Sequence, residues 1–191
     1  MQYTANDIKE FLGQYENHIS HVIVAHTYFR PYTNPIKGKH KNTNAKIQRQ
    51  LDQTKRDCRY ALNIFNQMLY PNSINKAKRH PHTYRPLTFV TIEGAKETLD
   101  RSQTIHVNIS LGNLPKVLTA EDIHVLFQFA WHTQAKQSND ITVLDYKKGT
   151  DNQWTGYSLK EAQQAPRKAW ETNGIWDVEN CWIPQAALAA D

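Results

Sequence analysis

The chain has 191 residues, 39% apolar and 21% charged, which suits one domain with its own core and argues against disorder throughout. Its net charge of +5 is unevenly spread: residues 30 to 85 carry 13 Lys and Arg against only Asp52 and Asp57, a local +11 that leaves −6 for the rest. No run approaches membrane-spanning length, the first residues lack a basic segment followed by an apolar one, and the two cysteines, Cys58 and Cys181, have no CxxC spacing. The expectation is a soluble cytoplasmic protein with reduced thiols and no membrane partner.

In chain order, His21-Val-Ile-Val-Ala-His26 reads as a first buried strand, rich in β-branched residues and stopped by Arg30-Pro31. From Asn44 to Tyr70 the apolar side chains Ile47, Leu51, Cys58, Leu62, Phe65 and Leu69 form a helical stripe that ends before Pro71. A basic connector, Lys76 to His82, leads into a second strand, Leu87 to Glu93, closed by Gly94. Residues 94 to 102 read as a hairpin connection to a third strand around Thr104-Ile-His-Val-Asn-Ile-Ser110, which ends at Gly112-Asn113. Thr119-Ala-Glu-Asp122 has the pattern of a capping box opening a second helix with Ile123, Leu126, Phe127, Ala130 and Trp131 as its stripe. Residues 141 to 146 give a fourth strand, and residues 157 to 164 a short helix stopped by Pro166. The order β-α-β-β-α-β predicts an α+β, ferredoxin-like antiparallel sheet with helices on one face and the other face free for ligands. The expected domain is single over 1–191, with a core of about 20–165 and a C-terminal extension, 166–191, holding Trp170, Trp176 and Trp182.

Side chains alternate across a strand, so His106 and Asn108 share one face while Ile105, Val107, Ile109 and Leu111 share the buried one. A hairpin brings Glu93, at the end of the preceding strand, alongside them. One imidazole, one carboxylate and one amide oxygen suit Mg²⁺ or Mn²⁺ better than structural zinc, whereas polar alternation alone is ordinary on a solvated sheet. Downstream, Tyr157 and Lys160 stand one helical turn apart, so the ammonium can favour the phenolate and steady a phosphate oxygen.

Taken in order, an acidic strand end, a His-x-Asn strand, and Tyr-x-x-Lys on a helix resemble the catalytic arrangement of HUH-type nucleases, particularly single-tyrosine rolling-circle replication initiators, over residues 21 to 165. His21 to Tyr28 is similar to that family's hydrophobic first strand, His106-Val107-Asn108 to its His-hydrophobic-His metal motif, Glu93 to its additional ligand, and Tyr157-Ser-Leu-Lys160 to its nucleophile motif. The chain departs from the pattern at Asn108, whose amide oxygen is a weaker ligand than imidazole. The resemblance implies metal-assisted attack of Tyr157 on a DNA phosphodiester, a covalent 5′-phosphotyrosine, and rejoining by the reverse reaction, at an origin of a plasmid, phage or mobile element. No GxxxxGK[ST] loop occurs, so unwinding is expected to need a separate helicase or supercoiling.

The basic connectors are the expected grip on single-stranded or hairpin origin DNA, with Arg30, Lys37, Lys39, Lys41, Lys76, Lys78, Arg79 and Arg85 as phosphate contacts. Tyr28, Phe29, Tyr32 and Tyr84 lie among them and either stack on bases or pack locally. The alternatives are a transposase or relaxase using the same chemistry, a non-catalytic ferredoxin-like module for single-stranded nucleic acid, and a regulator gripping its own origin.

Overall fold

The computed structural model describes residues 5–32, 43–71, 74–115, 118–146 and 176–183. Helix α1 (Ala5–Tyr15) precedes strand β1 (Ile19–His26), and the long helix α2 (Thr43–Leu69) follows. Two short helices, α3 (Ile74–Arg79) and α4 (Pro81–Tyr84), lead into the hairpin of β2 (Leu87–Glu93) and β3 (His106–Gly112). Helix α5 (Ala120–Gln128) and strand β4 (Ile141–Asp145) come next, and Val178–Asn180 forms a 3₁₀ turn.

The four strands pair antiparallel in the order β2-β3-β1-β4. Alternation decides what each face does. Ile23, Ala25, Val90, Ile92, Val107, Ile109 and Leu111 all point to the face on which α2 and α5 lie, where they meet Leu51, Cys58, Phe65, Ile123, Phe127 and Trp131 in one buried cluster. Phe65 and Phe127 pack edge to face at 5.6 Å. The helices stop and start where the sequence says: α2 ends just before Pro71, and α5 opens on a capping box in which the Asp122 amide donates to Thr119 Oγ1 (3.2 Å) and the Thr119 amide to Asp122 Oδ2 (2.9 Å). Past α5 the chain winds into a π-helical turn, Phe129–Gln134, which keeps Ala130 and Trp131 buried.

The second face differs from the open surface expected for it. Val22, Ser110 and Phe89 lie side by side across β1, β3 and β2, and all are buried. Phe89 stacks on Trp176 (5.6 Å between centroids), Trp176 meets Phe11 of α1 at 5.7 Å, and Phe11 packs on Tyr15. The segment 176–183 also seals the free edge of β2: the Thr88 and Trp182 amides exchange hydrogen bonds of 2.8 Å, and the Asp177 amide donates to Val90 O at 3.0 Å. That capping is why all seven residues of β2 are buried although it is the last strand of the sheet. The basic connector of residues 76 to 82, expected as a loop, is largely helical in α3 and α4. Both cysteines are free thiols, and burial pushes the Cys181 thiol up to about 12.

Candidate metal and nucleic-acid site

At the other end of this second face the aromatic packing gives way to polar groups. Strand register puts Glu93 opposite His106 and His106 opposite His26, and in the next row Thr91 opposite Asn108. Opposite residues in an antiparallel ladder share a face. Glu93, His106 and Asn108 therefore converge, as their spacing predicted, and they do so around a single oxygen. Asn108 Nδ2 donates to Glu93 Oε2 at 3.1 Å, and His106 Nε2 lies 3.4 Å from the same oxygen. Glu93 is 0% exposed and Asn108 2%.

Two features of this cluster are chemically incomplete. Among the described residues the Asn108 carbonyl oxygen, which is buried, has no hydrogen-bond partner, and neither has His106 Nε2. The other ring nitrogen, His106 Nδ1, is 3.4 Å from Thr104 O, a group that only accepts. With the ring proton on Nδ1, Nε2 and the carboxylate face each other as two acceptors, an arrangement that a cation or a second proton between them resolves. Donors sharing one hard ion at about 2.1 Å stand roughly 3 to 3.5 Å apart, so the spacing fits a shared ion. Half a turn of the Asn108 amide brings Oδ1 to the position Nδ2 now holds, which adds a third donor. Among the described residues no group of three or more His, Cys, Asp or Glu is arranged to hold a metal, so any site here depends on that amide.

Gly94 makes the convergence geometrically feasible. Its φ of +76° turns the chain directly after Glu93, and a Cβ there would stand 2.3 Å from Thr104 O and 3.3 Å from His106 Nδ1. A residue that sequence reading passed over completes the row: the His26 ring lies 4.9 Å from that of His106, tilted by 31°, with Nδ1 2.7 Å from Thr104 Oγ1 and Nε2 4.0 Å from Asp140 Oδ2. Trp131 of the π-helical turn donates to His26 O at 2.9 Å, tying this row to the helical layer. The only signal for His26 in the sequence was its place at the end of an apolar strand; its partner stands 80 residues away.

His26 and His106 form part of the wall of a cleft of about 440 Å³, with Tyr28, Arg30, Thr104 and Asp140 around it. Tyr28 is 60% exposed and Arg30 is exposed. Of the other aromatic candidates, Phe29 packs against the core, Tyr84 meets Tyr70, and Tyr32 lies under Arg101. The cationic candidates divide. Arg30 stands at the cleft, whereas Lys76, Lys78 and Arg79 are exposed on or at the end of α3 and, with Arg85, precede β2 at the end remote from Glu93. Lys37, Lys39, Lys41, Tyr157, Lys160 and the helix expected at 157–164 lie outside the described residues. No family model, curated protein or solved structure matches this chain. No helix among the described residues is long and apolar enough to cross a membrane.

Proposed function

We propose that the chain is a metal-dependent, tyrosine-dependent endonuclease that nicks and rejoins single-stranded or hairpin DNA inside the cell, as rolling-circle initiators of the HUH type do. One observation carries the reading: Glu93, His106 and Asn108 meet around one oxygen, with His106 Nε2 and the Asn108 carbonyl both buried and without a hydrogen bond among the described residues. Buried acceptors without donors cost about 1–3 kcal/mol each, a cost that a bound cation removes. The order β2-β3-β1-β4 with both helices on one face supports a ferredoxin-like arrangement of this site.

In this reading the three donors hold Mg²⁺ or Mn²⁺, which supplies positive charge to the scissile phosphate. Tyr157 Oη gives up its proton and attacks phosphorus; the P–O3′ bond breaks, the 3′-oxygen leaves as a hydroxyl, and the 5′-phosphate stays on tyrosine. Lys160 favours the phenolate and steadies a phosphate oxygen. Attack by a free 3′-hydroxyl reverses the step and reseals the strand, with no nucleotide cofactor consumed. Tyr28 and Arg30 at the cleft mouth offer a base-stacking ring and a phosphate contact for the strand being cut. The test is to incubate the chain with Mn²⁺ and a labelled pool of single-stranded DNA. A denaturation-resistant protein–DNA adduct that disappears in Tyr157→Phe and in Glu93→Gln is expected; an adduct equally abundant in Tyr157→Phe overturns the assignment.

A second reading, a non-catalytic module for single-stranded nucleic acid, is favoured by the complete burial of Glu93, which does not line the cleft where Tyr28 and Arg30 are exposed. It predicts salt-sensitive binding that needs no metal and is unchanged by Glu93→Gln.

A further inference from the structure

A small pocket of about 150 Å³ lies between α2, the start of β2 and the segment 176–183, lined in part by Arg59, Asn63, Asn66, Arg85, Thr88 and Glu179. Thr88 belongs to the helical face of the sheet, five residues before Glu93, so the pocket is roughly 17 Å from the Glu93–His106 row along the strand and on the opposite face. It owes nothing to the proposed nuclease site.

The chemistry of its wall is unbalanced. Arg85 is half-buried, its guanidinium lies 4.3 Å over the Trp182 ring, and among the described residues it has neither a carboxylate partner nor a hydrogen bond from its side chain. Burial lowers its pKa, with nothing opposing the shift. Five N–H donors in a fixed fork are therefore available in a place where a cation is costly to leave alone. Across the pocket Arg59 is engaged: its guanidinium pairs with Glu179, whose side chain is 72% exposed, and donates to Oδ1 of the buried Asn180 (3.3 Å). Asn66 also lines the pocket, and its carbonyl oxygen is buried with no hydrogen-bond partner among the described residues. A ligand that satisfies this wall needs several acceptor oxygens, negative charge and one hydroxyl.

We propose that this pocket binds a phosphate group, clamped between Arg85 and Arg59, and that Glu179 is a resident carboxylate which the phosphate displaces from Arg59. Monohydrogen phosphate meets the requirement with its own hydroxyl, turned to Asn66; a phosphate ester of a nucleotide or nucleic-acid end meets it with a neighbouring sugar hydroxyl. A guanidinium fork matches phosphate in two-point contact, and the stacked Trp182 holds the Arg85 fork in place. Arg85 follows the basic α3 and the short α4 in the chain, so a strand gripped by these basic residues delivers a phosphate to the pocket.

Calorimetric titration of the full chain at constant ionic strength tests this, with inorganic phosphate, a 5′-phosphorylated tetranucleotide and its 5′-hydroxyl counterpart as probes. One-to-one binding is expected, weakened about tenfold or more in Arg85→Gln, the worth of one charged hydrogen bond. Glu179→Gln, an exposed change that leaves the fold intact, removes the competitor and tightens binding several-fold. Preference for the 5′-phosphorylated oligonucleotide over inorganic phosphate assigns the source to nucleic-acid ends, and equal affinity assigns it to free phosphate. Absence of binding by all three probes at millimolar concentration, or affinities unchanged in both variants, overturns the proposal.

Discussion

The two ends of the sheet face that carries Glu93 are both buried, and they are built from opposite materials. Toward the start of β2, Phe89 stacks on Trp176, which packs on Phe11 and through it on Tyr15, a chain of aromatic contacts. Toward its end, within four residues of the same strand, Thr91, Asn108, Glu93, His106 and His26 fill the face with polar groups, and His106 Nε2 and the Asn108 carbonyl have no hydrogen-bond partner among the described residues. A face that needed only stability would continue the aromatic packing to its end, since replacing buried polar groups with well-packed apolar ones is often neutral or stabilising. Retained polar groups with unmet valences mark the end of the sheet to which the proposed ligand chemistry is assigned.

Truncation at the apolar end should give the largest loss of stability. Phe89→Ala is expected to cost about 3–5 kcal/mol in urea unfolding while leaving Mn²⁺ affinity in the surviving folded protein unchanged. If it abolishes metal binding at temperatures where the fold is intact, the two ends are not separable. Asn108→Asp sharpens the contrast from the other side. A second carboxylate beside Glu93 should destabilise the metal-free protein by about 1–3 kcal/mol, and saturating Mn²⁺ should restore the stability, because a hard anionic oxygen binds the ion more tightly than an amide. Denaturation midpoints with and without Mn²⁺ check both halves. Gly94→Ala, which drives a Cβ against Thr104 O at a positive φ, should cost about 1–3 kcal/mol and weaken Mn²⁺ binding together, since it displaces the turn that holds His106 beside Glu93.

The smallest expected effect concerns pH and lies away from both ends. Burial pushes the His21 imidazole below its ordinary value, with Asp145, 3.1 Å away, partly opposing the shift. The folded state then binds fewer protons than the unfolded one in the window just under 6.5, so stability is full above that pH and erodes as pH falls through it. Urea midpoints at pH 7.5 and 5.5 should differ in the wild type and converge in His21→Gln.

Much of this architecture is visible in local pattern. The alternation Ile105, Val107, Ile109, Leu111 sorted β3 correctly into a packed face and a polar face carrying His106 and Asn108, because period two is a property of the strand itself. The stripe of α2 and the Thr119 capping box of α5 were legible for the same reason. What escaped depends on contacts distant in sequence. Helix α1 carries a short apolar pattern whose use becomes clear only when Trp176, 165 residues beyond Phe11, packs on it. His26 joined the candidate row through the β1–β3 register, which no local spacing encodes. The basic stretch of 30 to 85 read as one nucleic-acid grip, yet Arg30 stands at the cleft by His106 whereas Arg85 stands at the far end of β2.

A divalent cation held at the polar end of the sheet is the feature on which the proposed chemistry depends. Electron paramagnetic resonance of Mn²⁺ titrated with the full chain reads this without any DNA substrate. The free-ion signal should fall with one-to-one stoichiometry, and the loss should vanish in His106→Ala and Glu93→Gln and strengthen in Asn108→Asp. An undiminished free Mn²⁺ signal at millimolar protein, or a decrease identical in all these variants, would contradict it.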